Sequence, residues 1–152
     1  MIRRESAANG TIWLKSNACT YSITRIRPGV LHVVIAGRET GELGRALLGE
    51  VAAEAALHPP LQVFFDMSEL THVVEHIADD WTAWFRANKS AIRRVDVLAP
   101  ATLVRLTVAV SQMFSGMTGL MQIHTETTNF DKALRTIAQG KEPGRRTGVS
   151  AS

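Results

Sequence analysis

A single cysteine in 152 residues removes any intrachain disulfide and any cysteine-ligated metal site. Cys19 follows Ala18 in a β-rich stretch, so its plain reading is a buried, inert thiol. No apolar run approaches the ~20 residues that a membrane helix needs, so no membrane span is expected. The opening Met1-Ile2-Arg3-Arg4-Glu5-Ser6 turns polar where a signal peptide would carry its apolar core, and a cytoplasmic location is expected. One-sided charge is scarce as well. Between residues 11 and 140, 12 Lys/Arg balance 12 Asp/Glu, so the formal excess of +3 lies in the two ends. A neutral body offers no basic face to nucleic acid. A catalytic set is also missing, because no nucleophile, base and oxyanion donor can be named together. A non-catalytic protein without cofactor or metal is the expectation.

What the chain does have is a core. Hydrophobic residues make up 45% and charged ones 20%, ordinary for one globular domain of this length. Residues 11–140 read as that domain. Residues 1–10 and 141–152 read as flexible tails, the second Gly/Arg/Ser-rich and basic. Residues 11–15, 19–27 and 30–36 are rich in β-branched and aromatic side chains, with Arg27-Pro28-Gly29 as a turn, and suggest an antiparallel meander. The period then changes. Residues 41–58 carry Leu43, Leu47, Leu48, Val51, Ala55 and Ala56 at helical spacing until Pro59-Pro60 stops them. Strands over 61–67, 94–98 and 120–124 alternate with helices over 77–91 and 101–115, and a last helix begins at Thr128-Asn129-Phe130-Asp131.

This order predicts an α/β fold: a four- to six-stranded mixed sheet, begun by a β-meander and flanked by four helices. The strand of residues 61–67 stops on Asp66-Met67-Ser68. The carboxyl end of such a strand is where open α/β sheets meet their ligands and partners. The element order together with that Asp-hydrophobic-Ser step, over residues 20–138, resembles the STAS domain, and most closely its SpoIIAA-like relatives. That is the anti-sigma-factor-antagonist fold, related in topology to CRAL-TRIO lipid carriers. The resemblance implies a regulatory protein-interaction module, with a carrier or sensor of an apolar small molecule or lipid as the alternative. Phosphoregulated members place an Asp-Ser-Ser or Asp-Ser-Thr step at the start of the next helix. Here the corresponding stretch is Val74-Glu75-His76, without a hydroxyl, so the resemblance does not carry the phosphoswitch with it.

The residues expected to meet a protein partner are therefore a loop of Asp66, Ser68, Glu69, Thr71, His72, Glu75 and His76. His72 and His76 lie four apart with Glu75 between them, as a helical metal or acid/base set would. No third ligand or nucleophile accompanies them, and a solvated loop and helix start is the reading taken. The glycines of residues 37–44 lack the Gly-Lys-Ser/Thr of a phosphate loop and read as a plain turn.

Two further stretches are candidates for contact. Trp81, Trp84 and Phe85 form an aromatic stripe, and one tryptophan is expected at an edge open to a ligand or second subunit. The helix of residues 101–115 is apolar nearly all round. Leu103, Leu106, Val110, Met113 and Phe114 are expected to face inward, with Val104 and Val108 beyond the main stripe. Trp81, Trp84, Val104, Val108, Met113, Phe114 and Met117 are accordingly expected to line a homodimer interface or an apolar ligand site.

Overall fold

In the computed structural model, residues 2–38, 41–73 and 75–140 are described, and for Glu42 and Glu75 the backbone alone. The alternation that marks the early strands is realised as pleated pairing. Tyr21 and Ile23 of β3 (Cys19–Arg27) are buried on the same side as Leu31, Val33 and Ile35 of β4 (Val30–Arg38). The turn between these strands needs glycine. Gly29 has φ 83°, and a Cβ there would stand 2.6 Å from the His58 carbonyl oxygen.

β1 (Arg3–Ser6) and β2 (Ile12–Lys15) precede this hairpin. After β4 the chain alternates: α1 (Glu42–Leu57), β5 (Leu61–His72), α2 (Glu75–Asn88), a 3-10 turn at Lys89–Ala91, β6 (Ile92–Leu98), α3 (Thr102–Ser115), β7 (Met121–His124) and α4 (Thr127–Ala138). All seven strands form one sheet in chain order, antiparallel from β1 to β4 and parallel from β4 to β7.

Among the described residues the sheet thus has seven strands rather than four to six, and the addition lies in the stretch read as a tail. Arg3–Ser6 pairs in register with Ile12–Lys15, and Arg4 Nε reaches Glu50 Oε1 of α1 at 2.9 Å. Its four residues are all exposed, so backbone pairing and polar side-chain contacts hold the strand and no apolar pattern announces it. The basic segment of residues 141–152 lies outside the described residues.

Helices α1, α2 and α3 cover one face. Leu43, Leu47, Val51, Ile77, Phe85, Val104 and Val108 are buried, most of them in one cluster with Val33, Val63, Phe65, Val95 and Val97 of the sheet. Strands buried on both faces carry continuous apolar runs, and Leu61-Gln62-Val63-Phe64-Phe65 is such a run but for the buried Gln62. α4 covers the other face with Phe130 and Ile137 against Val30, Phe64 and Leu98.

Candidate functional site

β5 does not end at Met67. Its pairing with β6 stops where Asp66 meets Leu98, yet its pairing with β4 continues to Arg38–His72, through two register shifts. Ser68, Glu69, Thr71 and His72, expected in a loop, therefore sit on a strand extension bonded along one edge only. Asp66 helps bend it: Asp66 Oδ1 accepts from the Ser68 N–H at 3.0 Å and from the Ser68 hydroxyl at 2.6 Å, a local turn of the kind Asp favours. Thr71 Oγ1 donates to the Gly37 carbonyl at 3.0 Å. Gly37 has φ 100°, and a Cβ there would meet the Ala18 carbonyl oxygen at 2.4 Å. Only glycine lets β4 pass that close to β3.

Along this extension Leu70 turns inward and is buried, while Ser68, Glu69, Thr71 and His72 are exposed. α2 begins at Glu75, with His76 exposed beside Gly41. The expected contact residues are thus gathered at one end of the sheet, on a strand and a helix start. Val74 lies outside the described residues, as does the side chain of Glu75. Among the described residues no cluster of histidines and carboxylates could hold a metal.

Next to this edge, α2 and α3 run side by side. Thr82 Oγ1 and Ser111 Oγ are hydrogen-bonded at 2.7 Å, and Arg86 donates to the Phe114 carbonyl from Nε at 3.1 Å and also from Nη2. Between the helices lies an open groove of about 700 Å³, walled by Thr71, His72, Asp79, Arg86, Leu106 and Val110 among others. Beneath it is an apolar cavity of about 90 Å³, bordered by Tyr21, Phe65, Met67, Trp81, Phe85 and Met121. Trp81 stands edge-on to Phe65 at 5.4 Å and is tilted against Phe85 at 5.7 Å. Trp81 and Trp84 are both half-buried against the core, and Trp81 borders the cavity.

α3 is turned the opposite way from the sequence expectation. Val104 and Val108 face the sheet, whereas Leu103 is 79%, Leu106 55%, Val110 49%, Met113 67% and Phe114 62% exposed. The helix has two apolar stripes, and its β-branched one packs onto the sheet. Val104 borders the groove and Val108 the cavity. Met117 is fully buried in the core. Of the seven residues expected to line an interface, Met113 and Phe114 alone stand exposed.

A polar cluster on the α4 face was not singled out by sequence reasoning. Asp96 of β6 is fully buried and is held by Arg94 through Nε at 2.9 Å and Nη2 at 3.2 Å. Its Oδ1 also lies 2.9 Å from His124 Nε2. Phe130 packs within 5.8 Å of the His124 ring and 6.4 Å of His32. His32 Nε2 is buried without a hydrogen-bond partner among the described residues. Burial holds the His32 imidazole below its ordinary pKa, against the opposing pull of Asp66 and Asp131. An Asp at the centre of Arg-Val-Asp-Val-Leu was the available signal, since a strand buried on both faces has no solvated place for it. This cluster holds β6 to β7; it contains no nucleophile with a free approach.

No family model matches the chain, and no curated protein matches it. Solved structures do. SpoIIAA, an anti-sigma factor antagonist in its unphosphorylated form, superposes with a TM-score of 0.55 at 12% identity, covering 76% of this chain and 96% of that one. An uncharacterised DUF3478-family protein of SpoIIAA-like fold from Shewanella loihica PV-4 gives 0.56 at 18%, covering 79% and 98%. An anti-sigma factor antagonist from Mycobacterium paratuberculosis gives 0.53 at 17%, covering 86% and 99%. The fold is SpoIIAA-like, that is, STAS-like, as the element order predicts.

Proposed function

We propose that this SpoIIAA-like domain is a non-catalytic regulatory module of the cytoplasm that acts by protein–protein contact, with a second copy of itself among its partners. The supporting observation is the extension of β5 past the end of β6. It sets Ser68, Glu69, Thr71 and His72 beside the start of α2, at the carboxyl end of the parallel strands. The fold neighbours include two anti-sigma factor antagonists, which is consistent with a regulatory role. The neutral body disfavours nucleic acid, and among the described residues no helix is long and apolar enough to cross a membrane.

The contact is constitutive in this reading. The stretch Val74-Glu75-His76 has no hydroxyl to accept a phosphoryl group, and Glu75 supplies an acidic residue at the helix start in its place. Ser68 and Thr71 lie on the strand extension instead. A second reading, a carrier of an apolar molecule, rests on the cavity beneath α2 and α3. At about 90 Å³ it is smaller than the ~150 Å³ apolar cavity that accepts benzene, so it holds no lipid chain as it stands.

The test is position-specific photocrosslinking in cells. A crosslinker at Ser68 or His76 is expected to trap the same foreign protein, and one at exposed Gly49 of α1 to trap none. Absence of that difference, with an apolar molecule retained in native mass spectrometry, would replace this reading with the carrier.

A further inference from the structure

The pleat puts Gln62 of β5 on the same side as Phe64, toward α4, while Leu61, Val63 and Phe65 join the core under the other helices. Gln62 is 2% exposed, and its side-chain Nε2 has no hydrogen-bond partner among the described residues. Its backbone is fixed. The Gln62 N–H is given to the Gly29 carbonyl at 2.8 Å, and the residue pairs with Val30 on one side and Arg94 on the other. A leucine would fill the place without leaving a donor unmet, so the amide is a standing cost to the fold.

Gln62 is also the floor shared by two recesses at the amino ends of the parallel strands. The first, of about 260 Å³, is bordered by Gln62, Arg93, Arg94, Thr118, Gly119 and Gln122 among others. The second, of about 460 Å³, has Gln62 and Arg93 in common with it and adds Arg27, His58 and the apolar Leu57 and Pro59. No Asp or Glu borders either recess among the described residues. The neighbouring acids are engaged, Asp96 with Arg94 and His124, and Glu54 with Arg25 and the Gly29 N–H. Asp96 takes Nε and Nη2 of Arg94 and not Nη1. The last carbonyls of α3, which would repel an anion, are occupied too. Those of Gln112 and Met113 accept from the Gly116 N–H, and that of Phe114 from Arg86.

We infer that the first recess binds a phosphate group, held by Gln62 Nε2 and the Arg94 guanidinium, with Arg93 adding positive charge at the rim. Gln62 and Arg94 are register partners on one face of the sheet, so an amide donor and a cation stand side by side. A phosphate offers acceptor oxygens in several directions and suits the arginine fork. The second recess borders the carboxyl end of α1 at Leu57 and His58, the poorer place for the anion itself. Its apolar wall suits the body of a phosphate ester. The site lies at the opposite end of the strands from the β5 extension and does not depend on the contact proposed there.

Two-dimensional NMR of the isotope-labelled full chain tests the site, with inorganic phosphate and phenyl phosphate titrated at constant ionic strength against a chloride control. The Gln62 side-chain amide and the Gly119 N–H are expected to shift saturably with either phosphate and to stay still in chloride. Tighter binding of phenyl phosphate supports an esterified ligand, and equal binding supports the free ion. Two variants separate binding from folding. Gly119→Asp sets a carboxylate on the rim where a Cβ meets nothing within 4 Å, and Gln62→Leu removes the unmet donor. Each is expected to fold and to bind phosphate about tenfold more weakly, with Gln62→Leu melting above wild type in phosphate-free buffer. No shift at Gln62 overturns the inference. So do shifts that both variants leave unchanged, which mean an adventitious ion only. A Gln62→Leu variant that melts below wild type does so as well, since the amide would then serve the fold.

Discussion

Glu54 of α1 and Arg25 of β3 are joined at two points, Oε1 to Nη2 at 2.6 Å and Oε2 to Nε at 3.0 Å, and the same Oε2 accepts the Gly29 N–H at 2.8 Å. Helix α1 is thereby tied to the turn that starts the parallel part of the sheet. Burial alone pushes the Glu54 carboxyl up. The Arg25 and Gly29 hydrogen bonds, with the charges of Arg25 and His58, outweigh it and hold the group below its ordinary 4.5.

A Glu54→Gln variant is expected to lose about 1–3 kcal/mol near neutral pH, because a buried acceptor pair is weakened and the Gly29 donor is less well served. The lowered carboxyl binds fewer protons folded than unfolded. Its stabilisation is therefore present above pH 4.5 and is lost as pH falls through the lower folded value. Urea midpoints measured near neutrality and at about pH 3 should show the gap between wild type and variant closing in acid.

His32 works in a different window. Its imidazole is kept neutral by burial, so the unfolded chain binds the proton more readily. Stability is expected to fall as pH drops below the ordinary histidine value of 6.5, well before the Glu54 window opens. His32→Leu should remove that first decline and leave the second. Equal slopes in wild type and variant just below pH 6.5 would show that His32 charges as easily folded as unfolded.

The reversed face of α3 makes opposite predictions for adjacent positions. Val108→Ala is expected to cost about 2 kcal/mol, through lost contacts and a residual void. Leu106→Ala, measured in dilute monomer, should stay within about 0.5 kcal/mol. Had the sequence expectation been right, the two values would be exchanged. Thermal melts of the two variants side by side check it.

The element order was legible because punctuation and period agree. Pro59-Pro60 stops α1, Arg27-Pro28-Gly29 turns the hairpin, and the period changes from two to 3.6 after β4. Three things were not legible. Arg3–Ser6 is held by backbone pairing and by exposed ion pairs of Arg4 and Glu5, none of which leaves an apolar pattern in the sequence. Asp66-Met67-Ser68 looks like the end of a strand, although there the polar side chains cap a bend and pairing with β4 resumes. α3 carries two apolar stripes, and composition does not decide which one meets the sheet. The slimmer Val104/Val108 stripe lets the helix axis approach the strands, and the larger leucines are left outside. The residues expected to meet a partner gather at one end of the sheet, and α3 presents to solvent the face expected to turn inward.

The order of the strands in space is their order in the chain. Each strand thus finds its docking edge already built by the one synthesised before it. No strand has to be inserted between two that are already paired, although each parallel pairing still closes over an intervening helix, as Val30 with Gln62 does. The sheet can grow in the direction of translation. At every intermediate length its growing edge is the last strand made, and completion leaves that role to the four residues of β7, an edge too short to recruit a neighbour's strand.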